Sequence, residues 1–511
     1  MKKSFLLMMP MALGLVASSC SIGHDSESAR GYYEVMDNGG IIGIDAPATG
    51  GDKFDEFKDN PFVSTAEEPT STFSVDADGA SYAIMRRYVT RGYNISPASV
   101  RIEEFLNYFT FDYAAPADGE TIAINTEVSD CPWNEEHRLL RLGLKGKELP
   151  QDQWPQANFV FLVDVSGSMY SSDKLDLLKS GLIELVDQLN PDDRISIITY
   201  SGEVKKLLES TPVRNADKIK RAIKRLSAEG STAGGRALKM AYEEALTNYD
   251  PEANNRVIMG TDGDFNVGVT DTDALVEMVE SYARKGIYMT CLGFGSGNLN
   301  DAMMEKVSNS GNGNYYYIDS EDEMMKVFVH ERERFVSVAN DTKCQVTFNP
   351  DLVSEYRLIG YENRVMSNED FEDDTKDAGE IGAGQTITAL YEIVPAPKAK
   401  NWAIDSRTNH HVFATFDVRY KKTLDSDSQP LKTEAAIEDM YNSELNKEPM
   451  SANMNLAAGI AAYGMLLRDS PHKGEASFRM AKSLVEQSLD FDPHGYRAEL
   501  LKLIKKAERD D

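Results

Sequence analysis

The sequence predicts an α/β fold class: a doubly wound, mainly parallel sheet, with an α+β extension before it and a β-sandwich-like domain and helices after it. Between residues 156 and 337, continuous apolar runs such as 159–163 and 287–292 alternate with segments of helical apolar spacing. Such runs are typical of strands covered on both faces, and their alternation with helices favours parallel pairing. From 338 to 425 the pattern changes to short alternating strands with turn signals, which indicates a sandwich.

The spacing of apolar residues assigns each element of the α/β region in turn. Helices are predicted where leucines and other apolar residues recur every three or four positions, and strands where apolar residues dominate a short run of four to six residues. The predicted strands are 159–163, 195–199, 256–259, 287–292 and 315–318, and the predicted helices are 175–189, 215–228, 234–248, 272–285, 299–307 and 321–336.

The flanking regions have a less regular pattern. Tyr82 and Met85 have the spacing of one helix face, and residues 121–145 alternate between apolar and polar as strands do. After 425 the chain becomes polar and then helical, with amphipathic stretches such as 457–467. The predicted divisions are a signal peptide (1–20), a flexible linker (21–69), the extension (70–150), the α/β domain (156–337), the sandwich (338–425) and a helical region (426–511).

The first twenty residues have the features of an export signal. Lys2 and Lys3 precede a mostly apolar stretch from 5 to 16, and small residues follow up to Cys20. The small residues and Cys20 resemble the lipobox of bacterial lipoproteins, which implies cleavage before Cys20 and its lipidation. The alternative is an ordinary secreted protein with a chance cysteine. We expect an exported protein that is lipid-anchored in the cell envelope, at the outer membrane, with its periplasmic or surface orientation left open.

Charge and cysteine content narrow the possible partners. The 511 residues carry a formal net charge of −29, which disfavours non-specific binding to nucleic acid because the phosphate backbone is also negative. Cys131, Cys291 and Cys344 remain besides Cys20, and an odd number leaves at least one free thiol. A Cys131–Cys344 disulfide is possible, but the sequence does not decide it.

Three short motifs place oxygen-bearing side chains at loops that follow predicted strands. Asp164, Ser166 and Ser168 follow the first strand, Thr232 precedes a helix, and Asp262 follows the strand at 256–259. Ligand sites of doubly wound sheets form at the carboxyl ends of strands, so we expect these loops to converge. Carboxylates and hydroxyls suit a hard cation, and Mg²⁺ or Mn²⁺ is the expected cofactor.

The order Asp-x-Ser-x-Ser, Thr, Asp resembles the metal-ion-dependent adhesion site of von Willebrand factor A domains. The resemblance implies direct coordination by Ser166 and Ser168, direct or water-bridged contact by Thr232, and mostly water-mediated contact by Asp164 and Asp262. One coordination position would stay open for a carboxylate from a partner.

The resemblance extends beyond this domain. The segments 73–78, 100–104, 261–268 and 355–363 are similar to those of YfbK-like bacterial lipoproteins, so the similarity covers nearly the whole chain after residue 70. This resemblance implies an architecture more than an activity.

The expected function is metal-dependent adhesion or protein–protein interaction without catalysis. The partner would be a protein that offers an Asp or Glu carboxylate to the metal. One alternative is an envelope scaffold in which the metal only stabilises the fold. Another is a metal-dependent hydrolase with Asp164 as nucleophile or Asp262 as ligand, which would also need a further acid or base and a cation for phosphate.

Overall fold

The computed structural model describes residues 32–37, 40–45, 51–230, 235–263, 272–397, 412–436, 440–441 and 449–510. The chain forms two compact units, Met1–Gly50 and Gly51–Asp511. The first contains an antiparallel hairpin of β1 (Tyr32–Asp37) and β2 (Gly40–Asp45). All elements that follow belong to the second unit. Among the helices described, none combines the length and the apolarity that crossing a bilayer demands.

Residues 51–69, where a flexible linker is predicted, belong to the second unit and pack against the rest of it. The carboxylate of Asp52 accepts a hydrogen bond from the backbone N–H of Gly297 at 2.6 Å, and the Asn60 amide donates to the carbonyl of Gly360 at 2.8 Å. The predicted linker therefore extends too far along the chain. Composition did not reveal this packing, because the segment is held by polar side chains that bind backbone groups distant in sequence.

The extension contributes both strands and helices. Its first helix ends at Gly92, whose φ of 70° is the left-handed conformation that glycine adopts without a Cβ clash. The elements are β3 (Val63–Ser64), β4 (Thr70–Ser74), α1 (Ala80–Arg91), α2 (Ile102–Asn107), β5 (Ile122–Asp130) and β6 (Arg138–Gly146).

The α/β domain confirms the predicted fold class. Its six strands lie in the order β12-β11-β10-β7-β8-β9, and all pairs are parallel except β8 with β9. The strands are β7 (Ala157–Asp164), β8 (Arg194–Tyr200), β9 (Val204–Pro212), β10 (Asn254–Thr261), β11 (Ile287–Phe294) and β12 (Tyr315–Ile318). The helices are α3 (Leu177–Gln188), α4 (Ala216–Lys224), α5 (Gly235–Thr247), α6 (Thr272–Ala283), α7 (Asp301–Asn309) and α8 (Glu321–Met325).

Helices cover both faces of this sheet. Apolar side chains of α3, α4 and α8 form the core on one face. Those of α5, α6 and α7 form the core on the other face, and α1 of the extension packs with them. The central strand β7 is buried along its whole length, as its continuous apolar run predicts.

Two six-stranded sheets form the β-sandwich. One has the order β15-β4-β13-β18-β19, with β16 paired to β13, and the other has the order β20-β5-β6-β17-β14-β3. Their inner faces share one apolar core. The strands after the α/β domain are β13 (Ser337–Phe348), β14 (Val353–Ile359), β15 (Val365–Met366), β16 (Gly379–Gly382), β17 (Thr386–Pro395), β18 (Val412–Lys421), β19 (Gln429–Ala436) and β20 (Met440–Tyr441).

The sandwich is assembled from chain on both sides of the α/β domain. Phe73 of β4 pairs with Cys344 of β13, and Leu142 of β6 pairs with Ala389 of β17. The sequence predicts the extension and the sandwich as separate regions, whereas the structure places their strands in common sheets. The α/β domain is thus inserted into the sandwich by both of its ends.

The C-terminal helices are α9 (Ala452–Leu467), α10 (Phe478–Glu486) and α11 (Tyr496–Asp510). They form an apolar core with α1, α2 and Trp133. The predicted helical region from 426 therefore begins too early, because β19 and β20 precede the helices. Residues 454–465 of α9 are all buried, so this helix is covered all round rather than amphipathic.

The three described cysteines are buried and free. Cys131 lies in the core around the C-terminal helices, whereas Cys344 lies inside the sandwich. No disulfide joins them, which settles the alternative that the sequence left open.

Candidate metal centre

The predicted site lies at the carboxyl edge of the α/β sheet, where β7 ends at Asp164. β7 and β10 are parallel neighbours with Val163 opposite Gly260, so both strands end at the same edge. Asp262 follows β10 directly and places a second acidic residue beside the first. This is the edge at which open α/β sheets form their ligand sites.

Asp164 is fully buried, and both of its carboxylate oxygens are held in place. Oδ1 accepts a hydrogen bond from the backbone N–H of Ser166 at 2.8 Å, and Oδ2 accepts one from the Thr261 hydroxyl at 3.1 Å. Burial raises the pKa of Asp164 to about 6, although the hydrogen bonds from Ser166 oppose the rise. The carboxylate is therefore oriented, but its charge lacks full compensation.

The two serine hydroxyls lie next to this carboxylate. Ser166 Oγ and Ser168 Oγ are 3.0 Å apart, within hydrogen-bond distance. Ser166 is buried and Ser168 is exposed, so the pair leads from the interior to the surface. The backbone N–H of Gly167 donates to the carbonyl of Gly230 at 3.0 Å, which fixes the serine loop against a neighbouring loop.

Asp262 is also buried, and a cation faces it. Lys174 Nζ lies 2.9 Å from Asp262 Oδ2. Burial pushes the pKa of Asp262 upward, but the Lys174 charge and side-chain hydrogen bonds from Lys174, Asn298 and Ser168 outweigh it, so the pKa is lowered. The bond from Ser168 also joins the serine loop to Asp262, which closes the cluster.

The structure thus brings four of the five predicted ligands together: Asp164, Ser166, Ser168 and Asp262. Thr232 lies outside the described residues, as does Cys20. Whether these side chains bind a metal stays a prediction.

The donor set fits a hard divalent cation. All four side chains offer oxygen, two of them as hydroxyls and two as carboxylates, which is the chemistry that Mg²⁺ selects. The Lys174 ammonium lies beside Asp262, so a metal ion at this edge would share that carboxylate with Lys174 or displace it.

The sequence pattern did not predict two further residues of the site. Thr261 carries the hydroxyl that orients Asp164, and that hydroxyl also accepts a hydrogen bond from the Gly263 N–H at 3.2 Å. Lys174 stands ten positions after Asp164, at the start of the helical segment that leads into α3. The position of Thr261 beside Asp262 was a usable signal, whereas the direction of the Lys174 side chain depends on tertiary structure.

Comparisons with known proteins assign the family. Regions 48–141, 158–330 and 333–509 match the families described as von Willebrand factor, von Willebrand factor type A domain, and uncharacterized protein YfbK, C-terminal. The uncharacterized protein YfbK of Escherichia coli (strain K12) is 37% identical over 473 residues, covering 89% of this chain and 81% of that protein. The chain belongs to the YfbK family. The resemblance to YfbK-like proteins with a type A domain is thereby confirmed.

Other similarities of this YfbK-family chain are more distant. Mouse inter alpha-trypsin inhibitor, heavy chain 4, is 27% identical over 225 residues, which are 42% of this chain and 23% of that protein. A solved von Willebrand factor type A structure from Catenulispora acidiphila has 14% identity and a TM-score of 0.42, covering 78% of this chain and 91% of its own. The type A domain of the YfbK-family chain indicates a role in protein–protein interaction or adhesion.

Proposed function

We propose that this protein holds partner proteins through a divalent cation at the carboxyl edge of its α/β sheet. The cation is Mg²⁺ or Mn²⁺, and its ligands are Asp164, Ser166, Ser168, Thr232 and Asp262. Bound there, it supplies a Lewis-acidic position that accepts an Asp or Glu carboxylate from the partner. The proposal needs no chemical step, because a charge-assisted contact is sufficient to hold two proteins together.

The spacing of the two serine hydroxyls supports the proposal most directly. Neighbouring ligands of an octahedral ion at 2.0–2.1 Å are about 2.9 Å apart. Ser166 Oγ and Ser168 Oγ are separated by 3.0 Å, so they fit adjacent positions on such an ion. Asp164 and Asp262 add the negative charge that holds it.

The exposed side of the site gives a partner access. Ser168 is exposed, and the neighbouring Tyr170 exposes 83% of its surface, although large aromatic side chains are usually covered. An aromatic residue beside a metal position offers apolar contact around a charge-assisted one. Because the chain carries a net charge of −29, the partner would be recognised by local fit rather than by long-range attraction between acidic surfaces.

The hydrolase alternative is less well supported by the same residues. Lys174 is a cation at the site, as phosphate binding would require, but its ammonium is engaged with Asp262 at 2.9 Å. A site with two serine hydroxyls among its ligands favours holding a carboxylate over activating a water.

Manganese relaxation tests the proposal on the purified chain. We expect Mn²⁺ to bind at one saturable site of this edge and to enhance water-proton relaxation through its retained waters. A short peptide with a single Asp should lower the enhancement by displacing water, whereas the matching Asn peptide should not. Mn²⁺ binding without any effect of the Asp peptide would favour a purely stabilising metal, and no Mn²⁺ binding would contradict the proposal.

We further propose that the protein is lipid-anchored at Cys20 in the cell envelope, at the outer membrane. The supporting observation is the charged, apolar and small-residue order of residues 1–20. Cys20→Ser should move the protein from the membrane fraction to the soluble fraction on cell fractionation. An equal membrane share for the variant and the wild type would argue against lipidation at this position.

A further inference from the structure

A second group of acidic side chains lies deep in the molecule, away from the carboxyl edge of the sheet. Asp76, Glu104 and Glu305 each offer one carboxylate oxygen, and the three oxygens lie within 4.8 Å of one another. All three residues are buried. They come from the β4–α1 connection, from α2 and from α7, so the group joins the extension to the α/β domain.

The acidic side chains around this group outnumber the positively charged side chains that face them. Five buried carboxylates meet there, but two guanidinium groups face them, those of Arg101 and Arg364. Three negative charges are left over if every carboxylate ionises. Burying even one uncompensated charge in a protein interior is strongly unfavourable. The carboxylates belong to Asp76, Asp78, Glu104, Asp301 and Glu305.

Two buried oxygens in this group have no hydrogen-bond partner. They are Asp78 Oδ2 and Glu305 Oε2, and the two residues are only 1% and 8% exposed. The nearest guanidinium nitrogens lie 3.9 Å away, Arg364 Nη2 from Asp78 and Arg101 Nη2 from Glu305, which is too long for a hydrogen bond. Native structures rarely leave buried oxygens unsatisfied, so a missing ligand is the simplest explanation.

The geometry points to a buried Ca²⁺ held by Asp76, Glu104 and Glu305, with Asp78 as an outer ligand that contacts the ion through water. Oxygens on opposite sides of Ca²⁺ are about 4.6–5.2 Å apart, so three oxygens within 4.8 Å fit around one such ion. A high count of carboxylates also suits Ca²⁺, which takes six to eight oxygen ligands.

A cavity beside Asp76 and Asp78 gives room for water. Its volume is about 130 Å³, and its lining includes Asp76, Asp78, Asn309, Arg364 and Glu380. Waters in this space would complete the ligand shell. The ion would tie α7 to the extension, so its role is to fix the α/β domain within the sandwich, independently of the site at Asp164.

Calcium titration of the purified chain tests this site alone in the Asp164→Ala, Ser166→Ala background, where the proposed Mg²⁺ site is removed. After EDTA treatment we expect one saturable Ca²⁺ site by calorimetry. Tb³⁺ should replace Ca²⁺ and emit on tyrosine excitation, because Tyr315 donates its backbone N–H to Asp78 Oδ1 at 2.8 Å and so lies at the site. Glu305→Gln and Asp78→Asn should each weaken Ca²⁺ binding at least about tenfold, since loss of even an outer ligand costs that much.

The matched control is Glu127→Gln, which neutralises a buried carboxylate paired with Arg141 elsewhere in the fold. It should leave Ca²⁺ affinity unchanged. If Glu305→Gln does not fold, Asp78→Asn and the thermal unfolding of the wild type with Ca²⁺ or EDTA decide the matter. The proposal would be overturned by any of three results: no Ca²⁺ binding in the background variant, full Ca²⁺ binding by both site variants, or an unfolding temperature that does not change with Ca²⁺. Protons, and not a metal ion, would then neutralise the carboxylates.

Discussion

Replacing Asp164 and Ser166 together by alanine is expected to abolish saturable Mg²⁺ binding at the carboxyl edge of the α/β sheet. The change removes the oriented carboxylate and one of two hydroxyls that lie 3.0 Å apart. Loss of a residue that merely orients a ligand weakens metal affinity about 10- to 100-fold, so loss of two donors exceeds 100-fold. Calorimetric titration of Mg²⁺ into the purified chain measures the effect.

Thr261→Val should give an intermediate loss in the same titration, of about 10- to 100-fold, because it removes only the hydroxyl that orients Asp164. The matched control is Asp187→Ala with Ser180→Ala on α3, which removes the same two residue types away from the site. It should leave the Mg²⁺ titration unchanged. Equal Mg²⁺ affinity in the Asp164→Ala, Ser166→Ala variant and the wild type would exclude this edge as the metal site.

Arg86→Ala is expected to lower the free energy of unfolding by about 3–5 kcal/mol, because it leaves buried carboxylates without their counter-charge. Arg86 lies on α1 and is 5% exposed. Its guanidinium donates to Asp319 at 2.9 Å, to Glu323 at 2.7 Å and to Glu499 at 3.0 Å. Asp319 and Glu323 are themselves buried in the α/β domain, and Glu499 belongs to α11.

Urea unfolding followed by circular dichroism measures this loss. The control is Arg214→Ala, which breaks an exposed pair with Asp192, a kind of contact that contributes at most about 1 kcal/mol. Arg86→Lys should recover only part of the stability, since an ammonium cannot donate to three acids in the fork geometry of a guanidinium. A loss below about 1 kcal/mol for Arg86→Ala would show that the contacts of Arg86 between α1, the α/β domain and α11 contribute little to stability.

The local sequence pattern was sufficient to predict the α/β domain but not the β-sandwich. The predicted strand at 315–318 matches β12, and the helix predicted at 234–248 matches α5 within a residue. β9 was missed because it lies at the edge of the sheet with only Leu208 and Thr211 buried, so it lacks the apolar run that marks β7. In the sandwich, β4 and β6 pair with strands that lie after the α/β domain. Such long-range pairing is not encoded by any local pattern.

Some residues of the candidate site could likewise be predicted from the sequence, and others could not. The residues at strand ends were predictable, because Asp164 and Asp262 follow apolar runs and parallel strands end at one edge. Lys174 was not, since its approach to Asp262 depends on how the segment before α3 folds back over the sheet. The buried acids of Asp76, Glu104 and Glu305 were also missed, because more than 200 residues separate the first two from the third.

The insertion of the α/β domain has a mechanical consequence. Its attachments lie at the amino edge of the sheet: the backbone N–H of Asn254, at the start of β10, donates to Gln156 O at 2.9 Å, and its side chain donates to Phe335 O at 2.7 Å. The proposed partner site lies at the opposite edge. A pull between a partner and the proposed lipid anchor would therefore run along β7 and β10, so their hydrogen bonds would be loaded together in shear instead of breaking one at a time.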